Sequence, residues 1–355
     1  MLKQHANPNT LTEAIRYFAD PDVSFAFVVQ MRWPNGVICP RCDTDKPSLI
    51  RSRRIWECRG CHKQFSMKVG TIFEDSPLGL DKWLPAVWLL ANAKNGISSY
   101  ELGRALGVTQ KTAWFMLSRI RLGMQAKTFT KMSGAAEADE TFIGGKRANM
   151  HAKRRPSVSD SRGKRDKATV LGMLERKRSD KHSTVRLAHV QGTRKADLHP
   201  HINATVEKGS ALYTDALPSY TRLADKTWKD DYAHAAVDHA VAYVDGQVHT
   251  NGLENFWSLL KRSIKGTYVS VDPFHLFRYL DEQAFRFNNR EENDLGQFVL
   301  VLRDPRGVNS SNSRILVPIL TSSAQTCCPP EREGRPCPKL KRGPKRTKRK
   351  GESTQ

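Results

Sequence analysis

AAEADETFIGG, residues 135–145, is the stretch on which the reading of the fold turns. It follows a strongly helical run over residues 80–125, and its β-prone residues, closed by two glycines, read as a strand. Three segments of the same kind follow, ATVLGMLER (168–176), TVRLAHV (184–190) and SALYTDA (210–216), before residues 251–264 and 273–289 return to a helical pattern. This alternation predicts an α/β domain over residues 133–295. Two acids stand at marked places in it. Asp139 follows an apolar stretch, and Asp215 ends the run ALYTD, where strand gives way to loop. An acid at a strand end is available to a metal ion instead of being entombed.

The helical segment HTNGLENFWSLLKR (249–262) supplies a third acid, Glu254. At 100° per residue, Asn251, Glu254, Ser258 and Lys261 share one side, and Leu253, Phe256, Leu259 and Leu260 the other. The polar side can face a cleft while the apolar side packs on a sheet, although a merely solvated face has the same pattern. Together Asp139, Asp215 and Glu254 would suit two Mg²⁺ or Mn²⁺ ions, hard cations that prefer oxygen ligands. Two such ions roughly 4 Å apart activate an attacking oxygen and stabilise a leaving one in phosphodiester chemistry. Glu140 is set aside, because period-two alternation turns it away from Asp139.

Toward the N-terminus, Cys39-Pro-Arg-Cys42 and Cys58-Arg-Gly-Cys61 are two CxxC knuckles fifteen residues apart. That spacing is the one expected of four thiolates around one tetrahedral zinc, and redox CxxC motifs do not come as spaced pairs. Four sulfurs leave no position for water, so the zinc is structural, and His62 finds no vacancy. The run LIRSRRIWEC predicts a hairpin strand with Trp56 beneath the metal, in a zinc ribbon over residues 31–75. Arg51, Arg53, Arg54 and Arg59 then offer it a phosphate-binding or a protein-docking face. Ahead of the ribbon, residues 1–30 form a lead-in with a short helix after Asn9 or Thr10, its apolar positions at Leu11, Ile15 and Phe18.

Residues 97–122, within the helical segment 80–125, have the pattern of a helix-turn-helix. Ser98 or Ser99 caps a first helix, Gly107 makes the turn, and Thr109 caps a second that carries Lys111, Thr112, Arg119 and Arg121. As a DNA reader the second helix would enter the major groove N-terminus first, placing Thr109, Lys111, Thr112 and Arg119 at the duplex. A plain helical hairpin reads the same way, and the basic surroundings favour DNA.

The 355 residues carry 58 Lys plus Arg against 36 Asp plus Glu, a net charge of +22 that attracts polyanions. Residues 146–167 hold nine Lys or Arg and two Asp in a loop expected to be mobile without a ligand, and residues 322–355 form a basic tail too polar to fold. Cys327, Cys328 and Cys337 fall within that tail and read as incidental. No apolar run is long enough to span a membrane and MLKQHANPNT has no signal-peptide pattern, so a cytoplasmic protein is expected.

Taken together, the CPRC and CRGC ribbon, DETFIGGK at Asp139, YTDALPSY at Asp215 and HTNGLENFWSLLKR at 249–262 resemble the DDE transposases of ISXO-type insertion sequences, relatives of the Merlin elements. The resemblance covers about residues 15–290. It implies a multidomain chain, zinc ribbon plus helix-turn-helix and then an α/β ribonuclease-H-like catalytic domain. It also implies metal-dependent cleavage at element ends, transfer of the freed 3′ end into target DNA, and a homo-oligomer working on the nucleoid. Carried over, Asp139, Asp215 and Glu254 are the catalytic acids and Lys261 their basic companion. Some relatives have Asn in the third place, which would make it Asn251; a carboxylate binds Mg²⁺ better than an amide, which favours Glu254. The competing readings are a zinc-dependent sequence-specific regulator and a domesticated, inactive transposase.

Overall fold

Thr10 and Asp20 each start a helix, their side chains accepting backbone N–H groups from the turn that follows: Glu13 for Thr10, Asp22 and Val23 for Asp20. The result is α1 (Leu11–Phe18) and α2 (Pro21–Arg32), where the sequence predicted one short helix. The break falls at Pro21, which takes the first helical position. Ala14 and Phe18 of α1 face inward, and Ile15 is half exposed. The computed structural model describes residues 7–125, 130–145, 167–221, 232–237 and 248–303. The basic loop expected over 146–167, apart from Lys167, and the tail with its three cysteines lie outside the described residues.

Next come β1 (Pro47–Ile50), β2 (Ile55–Cys58) and β3 (Gln64–Ser66), an antiparallel sheet in that order. Trp56 of β2 stacks between Phe25 of α2 at 5.4 Å and Phe65 at 5.8 Å, so the ribbon is fastened to a helix and does not hang as a free module. The helices α3 (Leu80–Asn92), α4 (Ser99–Leu106) and α5 (Gln110–Gly123) close over it with Trp83 and Trp88 buried. One apolar cluster joins all of these, and Phe298 of α10 (Asp294–Arg303) completes it. A helix from beyond the expected catalytic segment thus returns to the N-terminal core.

A second sheet is built from β4 (Ala135–Ile143), β5 (Ala168–Glu175), β6 (Thr184–Val190), β7 (Ala211–Asp215) and β8 (Ala233–Val237), in the order β6-β5-β4-β7-β8. β5 runs antiparallel to both its neighbours, and β7 and β8 continue parallel to β4. Strand alternation sorts the side chains onto two faces. Ala136, Ala138, Leu171 and Met173 pack against α6 (Lys195–Thr205) and Tyr220 of α7 (Pro218–Thr221). Val170, Leu174 and Val185 pack against α8 (Asn251–Ser263) and α9 (Leu276–Asn288).

Helix α9 also ties the sheet to α5. Arg121, buried on α5, meets Glu282 of α9 at 2.5 Å, and Arg286 meets the same fully buried carboxylate at 2.6 Å. Tyr268 donates its hydroxyl proton to Glu282, and the Tyr279 ring lies 4.1 Å beneath the Arg121 guanidinium. These partners hold Glu282 below the usual carboxylate range despite its burial.

Candidate active site and metal centre

Asp139 lies within β4, not at its end as the sequence reading had it. It is reachable because its neighbour stops: β4 pairs with β7 as far as Ala138 opposite Thr214, and Asp215 is the last residue of β7. On its other side Asp139 pairs with Gly172 of β5. A Cβ at Gly172 would lie 2.6 Å from the Trp257 ring, so glycine there makes room for the indole. Trp257 then donates its ring N–H to the Asp139 carboxylate at 2.8 Å, which pins α8 to the acidic strand one turn beyond Glu254.

Glu140 corrects the sequence reading. Alternation does turn its backbone bond to the opposite face, where Tyr220 donates a hydroxyl hydrogen bond to it. The β4–β7 pairing stops at Ala138, however, so among the described residues no strand continues beside Glu140 on that side, and oxygens of Asp139, Glu140 and Asp215 all lie within 4.8 Å of one another. Burial raises Asp139 to about 6, with the charges of Asp215 and Glu254 adding to it against the Trp257 hydrogen bond. Burial also lifts Glu140, to about 8, with Asp215 and Asp139 adding repulsion. Mutually repelling, partly desolvated oxygens are a donor set that a hard divalent cation relieves.

Glu254 stands outside that three-residue set, exposed on α8 and near enough for its charge to act on Asp139. Asn251 and Lys261 are exposed on the same helix, and Leu253, Phe256 and Leu260 are buried beneath it. The start of α8 is fixed by Glu137, a buried carboxylate that accepts the Leu253 N–H at 3.0 Å and pairs with Arg176 at 2.8 Å. Arg176 in turn donates to the His249 carbonyl at 2.7 Å. Negative charge at a helix N-terminus is favourable, so the network sets where α8 begins.

The four expected cysteines converge as well. Cys39 and Cys61 sulfurs are 3.8 Å apart and those of Cys42 and Cys58 3.4 Å. A tetrahedron with Zn–S bonds of about 2.3 Å separates its sulfurs by roughly 3.8 Å, so the set fits zinc. Both knuckles have the same backbone. Cys39 N–H bonds the Thr44 carbonyl and Cys58 N–H that of Lys63, at 2.9 and 3.0 Å, with Asp43 and His62 in the left-handed region at the same place in each. Hydrogen bonds with Thr44 lower the Cys42 thiol to about 6, while against a Lys63 backbone hydrogen bond burial and the other three sulfurs push the Cys61 thiol up to about 11, a crowding of sulfurs that a bound cation would relieve. His62 is not among the residues whose ligand atoms converge there. Of the four arginines, all exposed, Arg54 is paired with Asp22 at 2.7 Å.

Helices α4 and α5 meet at Gly107, whose φ of 64° suits glycine, and Thr109 caps α5 by accepting the Thr112 N–H at 3.2 Å. Lys111 is exposed and Thr112 half-buried. Arg119 does not fit its expected role. It donates to the carbonyls of Glu74 at 2.7 Å and Ile72 at 3.4 Å, and its guanidinium lies 4.7 Å over Phe115, which makes it a brace between α5 and the segment after the ribbon. Arg121 is likewise internal, as the partner of Glu282.

Residues 131–288 match the family model of the ISXO2-like transposase domain, and residues 20–64 match that of the transposase zinc-ribbon domain. The chain carries an ISXO2-like transposase domain behind a transposase zinc ribbon. A relative in Halobacterium salinarum, described as an uncharacterized protein in transposable element ISH50, is 25% identical over 261 residues, 70% of this chain and 84% of its own length.

Sequence reasoning passed over the transposase domain's supporting residues. Trp257, Tyr220 and Glu137 carry no spacing signal. Gly172 does, since a glycine inside an otherwise bulky buried strand marks the close approach of another element.

Proposed function

We propose that this transposase binds the ends of its insertion sequence and catalyses divalent-metal-dependent strand cleavage and strand transfer. The observation that carries the reading is the convergence of Asp139, Glu140 and Asp215 where β7 ends, beside the helix that bears Glu254 and Asn251. The sheet order, three antiparallel strands followed by two parallel ones beyond the first, supports a ribonuclease-H-like scaffold. Mg²⁺ or Mn²⁺ ions held by Asp139 and Asp215, with Glu254 as the favoured third ligand, would activate the attacking oxygen and stabilise the leaving one. The chain's own part is to orient: Trp257 fixes the Asp139 carboxylate, Tyr220 fixes Glu140, and the Glu137–Arg176 pair sets the register of α8. Lys261, exposed on that helix, would hold a phosphate.

Ends would be recognised by the ribbon and the α4–α5 pair, with Lys111 and the cap residues Thr109 and Thr112 at the duplex. A structural zinc, one per chain, would hold the ribbon, and two chains would act together on paired ends. The test is Mg²⁺-dependent nicking of duplex DNA from the gene's flanks, with binding measured in parallel. The parent should nick, Asp139→Asn and Asp215→Asn should bind without nicking, and Glu254→Gln should be impaired more than Asn251→Ala. Nicking by both aspartate variants at the parental rate would leave a DNA-binding regulator as the better account.

A further inference from the structure

The exposed side of α8 that starts at Glu254 runs on through Ser258 and Lys261 to Lys265, about 16 Å away at 1.5 Å per residue. There the helix widens into a π turn over Ile264–Tyr268 and closes on Val269. Val269 has φ 62° and ψ −55°, and the Ser270 N–H bonds the Tyr268 carbonyl at 2.6 Å across it. A β-branched residue at the centre of such a three-residue turn is strained, and Val269 is 77% exposed, so the strain is not offset by burial of its side chain. Phe274, five residues on, is 71% exposed. Its ring meets His275 at 5.0 Å, and His275 meets the exposed Trp114 of α5 at 5.6 Å. Lys111 lies one turn before Trp114 on the same helix and is also exposed.

We propose that Val269 and Phe274 form an apolar wedge that unstacks duplex DNA, on one continuous face joining the α5 end reader to the acidic site. This rests on the DNA-cleaving reading above and adds where the duplex lies and what opens it. Charge selects the occupant. Lys265 and Lys261 are exposed four and eight residues before Val269, and Lys111 one turn before Trp114, while the adjacent carboxylate, Asp272, is turned to the Phe274 N–H at 2.9 Å as a cap. A phosphate backbone complements such a rim, whereas a second copy would set two cationic faces together. Apolar side chains inserted between base steps kink and open a duplex, and a tip held out under strain is pre-formed for that task.

The test compares nicking of a fully paired flanking duplex with nicking of the same duplex carrying a short run of mismatched pairs at the break. Val269→Gly relaxes the turn and should raise the melting temperature; combined with Phe274→Ala it should cut paired DNA at least about tenfold more slowly and recover on mismatched DNA. A 2-aminopurine placed at the break should brighten with the parent and stay dim with the variant. Equal rates on the two substrates, or loss on both, would overturn the wedge. So would conversion of a dimer to a monomer by Phe274→Ala with parental brightening, which would make the face a self-association surface. Failure of the parent to nick either DNA would instead count against the proposed function.

Discussion

At the residue scale, the carboxylate cluster ties protonation to metal binding. Asp139 at about 6 and Glu140 at about 8 stand above their unfolded values of about 3.9 and 4.3, so the native state keeps protons that the unfolded chain has lost. Their contribution to stability is therefore full below about pH 4 and is lost as pH rises through 6 and then 8. With chelator present, the parent's melting temperature should fall relative to that of Glu140→Gln between pH 5 and pH 9, and parallel curves would contradict it. A divalent ion requires the deprotonated forms, so its affinity should rise over the same range. Trp257→Phe keeps an aromatic ring, though a smaller one, and removes the N–H that Asp139 accepts, a hydrogen bond to a charged group of about 1.5–3 kcal/mol. It should slow nicking by about tenfold or more at unchanged DNA affinity, and Gly172→Ala, which pushes against the same indole, should do likewise. Asp139 and Asp215 were legible as site candidates because their surroundings are patterned. Glu140 was misjudged because alternation fixes the direction of a side chain's first bond but not where a neighbouring strand stops.

At the element scale, α5 turns its basic residues two ways, Arg119 and Arg121 toward internal partners and Lys111 to the surface. Arg119→Ala should lower stability by removing a brace on the Glu74 carbonyl, whereas Lys111→Ala should leave melting unchanged and weaken DNA binding with a shallower salt dependence. The reverse pattern would return Arg119 to the duplex. Removing the four-thiolate metal with a chelator should unfold the knuckles, and metal analysis should find about one zinc per chain. The strands β4 to β7 and helices α8 and α9 were legible from period and turn residues. Among the described residues α6, β8 and α10 are elements that were not, each for a physical reason. α6 carries Pro200 in its interior, β8 is AHAAV with little β-branched bulk, and α10 packs wholly through tertiary contacts about Phe298.

At the scale of the whole molecule, Glu282 links the helix that caps the sheet to the helix that would read DNA, and no spacing rule could have announced it. Glu282→Gln leaves Arg121 and Arg286 buried without their counter-charge, which should cost about 3–5 kcal/mol in denaturant titrations. A loss under about 1 kcal/mol would mean the pair is no more than a surface bridge in effect. On the proposed function the lock would matter, because a reader fixed to the acidic site would present each DNA end at one distance from the carboxylates. Those carboxylates are proposed to hold the ions that perform the chemistry, and a change of metal separates ligands from bystanders. Asp215→Cys exchanges a hard oxygen ligand for a thiolate, which Mg²⁺ disfavours and Mn²⁺ accepts better. Nicking of the flanking duplex by Asp215→Cys should be lost in Mg²⁺ and restored in Mn²⁺ with unchanged DNA binding, and parental nicking by this variant in Mg²⁺ would contradict the account.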